Sequence, residues 1–176
     1  SWRPLSVPRD AAEILPGMEL IKVASGNYHL TILVPDSFRR KYYSKPVRII
    51  RPFQISRHEV TIGQWNKCFQ DGGCPKKAKQ RHYQSANHPV SRVSWYDAYL
   101  FTKWLSKVTR DSYRLPTEEE WAYAAFAGRD VTQATIDDLI FKRQLVRTAT
   151  FSAYRPTQEI GSFGENAWSI VDVTGP

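Results

Sequence analysis

The chain has 176 residues, 41% of them hydrophobic, with six Trp, nine Tyr and eight Phe; that is enough apolar mass for one packed domain, with or without extensions, and it excludes a disordered polymer. A net charge of +8 suits acidic partners such as nucleic acid, anionic lipid or acidic polysaccharide. No apolar run approaches the length of a membrane span, and a start at Ser1 without a leader pattern is expected of a processed or trimmed chain.

Residues 1–17 carry Pro4, Pro8 and Pro16 with little periodicity and are expected to form an extended N-terminal arm, leaving 18–176 as the domain. Apolar runs at 18–23 and 28–34 flank Ser25-Gly26-Asn27, a hairpin signal. Pro35 to Pro46 is expected to be a basic, tyrosine-bearing loop, in which Arg39, Arg40 and Lys41 are one half of a candidate binding patch. Val47 to Glu59 alternates as a strand, with Pro52 demoting its middle to an edge or a bulge.

Thr61 and Gln64 make a capping box ahead of a helix whose apolar face carries Ile62, Trp65, Cys68 and Phe69. Cys68 and Cys74 enclose Phe69-Gln70-Asp71-Gly72-Gly73. The paired glycines can turn the chain, so a small disulfide and an oxidising compartment are expected; two free thiols in a cytosolic protein are the alternative. No His or Cys stands at zinc-finger spacing from them. Lys76, Lys77, Lys79 and Arg81 supply the other half of the candidate patch, within a stretch (75–87) that has no period; a solvated loop is the plain alternative. Only Tyr42 and Tyr43 stand beside the cationic clusters to stack on bases, so nucleic acid is not the expected partner, although a basic nucleic-acid-binding domain is carried as a third reading.

Ser94 and Asp97 open a second helix to about Lys107, with Ala98, Phe101, Trp104, Leu105 and Val108 on one stripe. The strongest start signal is Arg114 to Trp121: Pro116 holds Leu115 extended, Thr117 and Glu120 form a third capping box, and Glu118, Glu119 and Glu120 sit on the positive end of the helix dipole. This helix is expected to run to Ala127, stop at Gly128 and turn Trp121, Ala124 and Ala125 inward. A short helix is expected near 135–142, and a turn followed by a short strand at 165–176. The adjacent acids at Asp137-Asp138 and 118–120 cannot flank a scissile bond, Ser94 and Ser112 have no assignable base, and there is no glycine-rich phosphate loop.

These segments together resemble the formylglycine-generating enzyme, or sulfatase-modifying factor, domain family. The likeness is carried by Pro52-Phe53-Gln54-Ile55-Ser56-Arg57-His58-Glu59-Val60-Thr61, by His88-Pro89-Val90 leading to Val93-Ser94-Trp95-Tyr96-Asp97-Ala98, and by Arg114 through Trp121 to Tyr123-Ala124-Ala125. It spans roughly 18–175 and makes Glu59, Thr61, His88, Ser94, Trp95, Asp97, Arg114, Thr117, Glu120 and Trp121 structural-motif residues. The implied fold is α+β: an irregular C-type-lectin-like sulfatase-modifying-factor fold with short capped helices, short antiparallel strands and long loops.

Catalytic members of that family use copper, held by a cysteine thiolate pair near the C-terminus, and dioxygen to oxidise a cysteine. Thiolates are the right donors for Cu(I). The resemblance puts that pair beyond Pro176, and Cys68 and Cys74 do not stand in for it. A related iron-dependent branch uses histidines, but His29, His58, His82 and His88 are scattered here, and His58 and His88 read as satisfied turn or core residues. Calcium is doubtful: Glu165 and Asp172 are present, but Thr150 stands where an Asn is expected. The expectation is therefore a noncatalytic binding or accessory/maturation module in an extracytoplasmic (periplasmic or secreted) compartment. It would have no catalytic or metal residues and no cofactor of its own, and would meet a protein or an acidic ligand. The alternative is a fragment, or one chain, of a copper-dependent oxidase, with copper bound only if a further segment or a partner chain completes the domain after Gly175.

Overall fold

Residues 9–35, 40–139 and 157–173 are described in the computed structural model. The chain divides into two units, one of Ser1–Glu19, His58–Leu115 and Thr157–Ile160, the other of Leu20–Arg57, Pro116–Pro156 and Gly161–Pro176.

In the first unit the stretch expected to be an extended arm contains α1 (Ala11–Ile14), capped by the Asp10 side chain accepting from the Ala12 N–H at 3.1 Å. Residues 1–8 of that arm lie outside the described residues. The prolines bracket the helical turn instead of breaking it, and Ala11 and Leu15 are fully buried. α2 (Ile62–Gln70) and α3 (Trp95–Thr109) begin at the expected capping boxes: Thr61 and Gln64 exchange bonds of 3.2 and 3.1 Å, Ser94 and Asp97 bonds of 3.1 and 3.0 Å. The unit's interior is aromatic, with Trp65 stacked on Phe101 (ring centroids 5.6 Å, planes 6° apart) and Phe101 against Trp104. Gly73 lies directly on the Trp104 ring, where a Cβ has no room.

In the second unit the expected hairpin of 18–34 does not form. β1 (Leu20–Val23) pairs antiparallel with β4 (Phe53–Ser56), and β2 (Gly26–Pro35) pairs with β3 (Arg40–Ile49), from Gly26 opposite Ile49 to Pro35 opposite Arg40. A ten-residue β2 satisfies its backbone against an equally long β3, whereas the four-residue β1 would leave more than half of it unpaired. The expected loop of 35–46 is thus largely strand, and Pro52 divides the expected strand of 47–59 in two.

α4 (Glu118–Ala125) opens at Thr117 and Glu120 as expected, with bonds of 3.1 and 2.9 Å, and ends with Gly128 donating to the Tyr123 carbonyl at 2.9 Å. Its inward face differs from expectation: Trp121 is 46% exposed, and Tyr123 is buried with Ala122, Ala124 and Ala125. Positions 121 and 123 are about 200° apart around a helix, so only one can face the interior. Tyr123 takes that place because it meets Tyr28 at 5.1 Å and Trp168 at 5.2 Å. Val23, Leu30, Ile49, Val131 and Ile170 complete this core. A helical stretch at 133–139 overlaps the expected 135–142, and 140–142 lie outside the described residues. At 165–173 a turn closes on a single Glu165–Val171 bridge, with no longer strand; 174–176 lie outside the described residues.

Asn166 ties the end of α4 to the C-terminal turn. Its side-chain N–H₂ donates to the carbonyls of Ala124 (2.8 Å) and Ala125 (3.0 Å), and its Oδ1 accepts from the N–H of Trp168 (2.9 Å) and Ile170 (3.2 Å). Asn166→Asp keeps the shape but replaces two donors by an oxygen facing two carbonyls. A loss of about 3 kcal/mol is expected, read as a lower denaturant midpoint at unchanged m-value.

Candidate binding surfaces

Both cysteines of the chain are buried and joined to each other (S–S 2.05 Å, Cα–Cα 5.3 Å). The bridge closes the last turn of α2 onto Gly72, whose φ of +74° suits glycine, and the N–H groups of Gly73 and Cys74 both donate to the Cys68 carbonyl. Neither sulfur is a thiolate, so this pair does not fit copper.

The histidines at motif positions are held by backbone. The His58 ring places Nδ1 2.7 Å from the Glu59 carbonyl oxygen and Nε2 2.8 Å from that of Gly17. His88 is buried, with Nδ1 accepting from the Ser85 N–H at 3.0 Å. Ser85 Oγ lies 3.2 Å from that nitrogen and donates to Glu159 Oε1 at 2.5 Å. Serine, histidine and glutamate therefore meet, but not as a hydrolytic triad. The hydroxyl proton goes to the carboxylate, and the nearby ring nitrogen already holds a backbone N–H. The pair named for calcium is engaged as well: Asp172 accepts from the N–H of Gly161 (2.5 Å) and Phe163 (2.8 Å), and Glu165 Oε2 takes Arg57 at 2.9 Å. Among the described residues no group of three or more His, Cys, Asp and Glu is placed to hold a metal ion. Arg114 donates to the Leu115 carbonyl at 3.2 Å, close before the α4 cap.

The two halves of the expected basic patch belong to different units. On β3, Lys41 is exposed, whereas Lys45 pairs with Glu119 at 2.8 Å; their hydrogen bond pushes the lysine pKa up and the carboxyl pKa down. Tyr42 bonds Asp137, so acids of the same unit answer part of this charge. Arg39 and the Arg40 side chain lie outside the described residues. The other half is a shaped loop. Trp65 Nε1 donates to the Lys76 carbonyl (2.9 Å), Asn66 Oδ1 accepts from the Ala78 N–H (3.0 Å), and buried Gln84 holds the Arg81 N–H and Thr157 Oγ1, each at 2.7 Å. Lys76, Lys77 and Lys79 stand exposed on it, and Arg81 is half-buried.

Lys76 faces the start of α3, where hydrogen bonds from the Ser94 N–H and hydroxyl, helped by Lys76, hold the Asp97 carboxyl below its ordinary range. Trp95, Tyr96 and Tyr99 line this start, and the first two are exposed. Spacings of three and four residues along α3 bring Trp95, Tyr96, Tyr99 and Lys103 to one side, a signal that a motif of consecutive residues does not carry.

A family profile described as "Sulfatase-modifying factor enzyme 1-like domain" matches residues 6–176. The formylglycine-generating enzyme of Streptomyces coelicolor is 44% identical over 54 residues, covering 31% of this chain and 15% of that protein. The formylglycine-generating enzyme of Thermomonospora curvata is 32% identical over 90 residues, covering 51% and 28%. The chain thus spans well under two thirds of the curated relatives it matches. The solved structure of PvdO from Pseudomonas aeruginosa shares the fold, with a TM-score of 0.65 at 22% identity, over 98% of this chain and 72% of that one.

Two measurements check these arrangements. A thiol count under denaturing, non-reducing conditions should find none, and replacing both cysteines by serine should cost about 2 kcal/mol, as expected for so short a loop. Tyr28, whose hydroxyl donates to the Glu119 carbonyl at 2.7 Å, has its pKa raised from 10.0 to about 12 by burial and then by Glu119 and Glu118. The folded state holds this proton more tightly than the unfolded one, so the contribution is complete below pH 10 and lost as pH rises toward 12. Thermal melting should fall more steeply across that window in the wild type than in Tyr28→Phe.

Proposed function

Because the chain belongs to the sulfatase-modifying factor enzyme 1-like family, we propose that it is a noncatalytic member, acting as a binding or accessory/maturation module outside the cytoplasm. The observation that carries this is the Cys68–Cys74 bridge. Both thiols in these 176 residues are consumed by a local disulfide, whereas the oxidation that the family resemblance implies needs a thiolate pair for copper. A structural disulfide also persists best in an oxidising compartment, which supports the extracytoplasmic placement. The exposed cations Lys76, Lys77 and Lys79, on a loop pinned through Trp65, Asn66 and Gln84, support an acidic ligand or protein partner.

The second reading is a copper-dependent formylglycine-generating oxidase whose thiolate pair comes from sequence outside these residues or from a partner chain. It is favoured by the names of the relatives, of which this chain covers only a part. The two readings separate on the full-length protein isolated from its native source after incubation with Cu(I) and desalting. Copper far below one per chain is the expected result; stoichiometric copper, with turnover of a cysteine-containing sulfatase peptide to the aldehyde, overturns the noncatalytic reading.

A further inference from the structure

We propose that the aromatic ridge at the start of α3 is a stacking platform for an anionic saccharide. Trp95 is 70% and Tyr96 61% exposed, a large cost for side chains of this size unless something lies against them. The rings are not loose. Trp95 stacks on Tyr99 with centroids 5.5 Å apart and planes 10° from parallel, and Tyr96 stacks on Tyr99 at 6.2 Å and 25°. The Lys103 ammonium sits 5.2 Å from the Tyr99 centroid. Fixed by one another and by the helix, the rings form a preorganised surface that loses little freedom on binding.

Size and chemistry select the occupant. Residues 95 to 103 rise about 12 Å along the helix, enough for two or three sugar rings. The backbone of α3 is used up internally, so an extended peptide laid on the ridge would find no partners for its own N–H and C=O groups. A sugar ring has no such need: its C–H face lies on an aromatic face while its hydroxyls stay in water. Lys103 stands beside Tyr99, and Lys76 lies near enough to the helix start to act on Asp97, whose carboxylate is already held by Ser94. The two lysines favour a saccharide bearing carboxylates over a neutral one. Along the ridge itself Lys103 alone lies against the rings, whereas a nucleic-acid strand presents closely spaced phosphates beside every stacked base.

The ridge needs only α3 and its cap, so this inference goes beyond the accessory reading and stands if that reading fails; saccharide binding and copper content are measured separately. The test is calorimetric titration of the protein with tetragalacturonate, tetramannuronate and a hyaluronan tetramer. Maltotetraose, an oligothymidylate and an oligoglutamate serve as competitors. At least one acidic saccharide should bind, and maltotetraose should bind more weakly. Trp95→Ala and Tyr99→Ala should each weaken binding by about tenfold or more at unchanged melting temperature, and Lys103→Gln should remove most of the preference for the acidic over the neutral sugar. No binding of any acidic saccharide at about 10 mM, or binding indifferent to Trp95→Ala, overturns the proposal. Equal affinity for maltotetraose overturns the anionic assignment. Tighter binding of the oligothymidylate or oligoglutamate, lost with Trp95→Ala, overturns the saccharide assignment in favour of that class.

Discussion

A helix begins with backbone donors that have no partner inside it, and this chain meets that requirement three times with the same reciprocal pair of side chains. The consequence extends past the first turn. Fixing the first helical residue fixes the angular position of all later ones, and so decides which side chains face the interior. With Ser94 as the cap, Phe101, Trp104 and Leu105 face inward, and Trp95, Tyr96, Tyr99 and Lys103 lie together on the opposite side. With Thr117 as the cap, Tyr123 faces inward and Trp121 outward. The buried cores and the exposed ridge follow from the same few hydrogen bonds.

What could be read from the sequence divides along contact range. The N-terminal caps and the cysteine loop depend on residues three to six positions apart, and each lies where the sequence places it, whereas α4 stops at Ala125, short of the expected Ala127. Strand pairing depends on distant segments. Nothing local distinguishes a β1–β2 hairpin from the observed β1–β4 and β2–β3 pairs, because the deciding term is how many backbone groups each pairing satisfies. Trp121, expected inside on one face with Ala124 and Ala125, yields that place to Tyr123, whose partner Trp168 lies far along the chain. The links from Asn166 to Ala124 and from Glu159 to Ser85 are invisible for the same reason, and so is the engagement of Asp172, one of the acids weighed for calcium, in a structural bond.

A common pattern runs through the reactive side chains. The two sulfurs bond each other, His58 and His88 serve backbone atoms, and Asp172 and Glu165 hold a loop and an arginine. These particular groups, able to ligate or transfer protons, are engaged in maintaining shape, while Trp95, Tyr96 and the ammonium groups of Lys76, Lys77 and Lys79 stand exposed.

The cysteine loop also bears on the order in which the chain is made. Cys74 follows Cys68 by six residues, whereas Trp104, whose ring covers Gly73, is synthesised later. At about 5–20 residues per second, the growing chain carries both thiols for more than a second before that ring emerges. A bridge closed in this interval gives α2 a fixed end on which the aromatic core of its unit can assemble. The order of synthesis therefore allows the bridge to be in place before the ring that packs on Gly73 has been made.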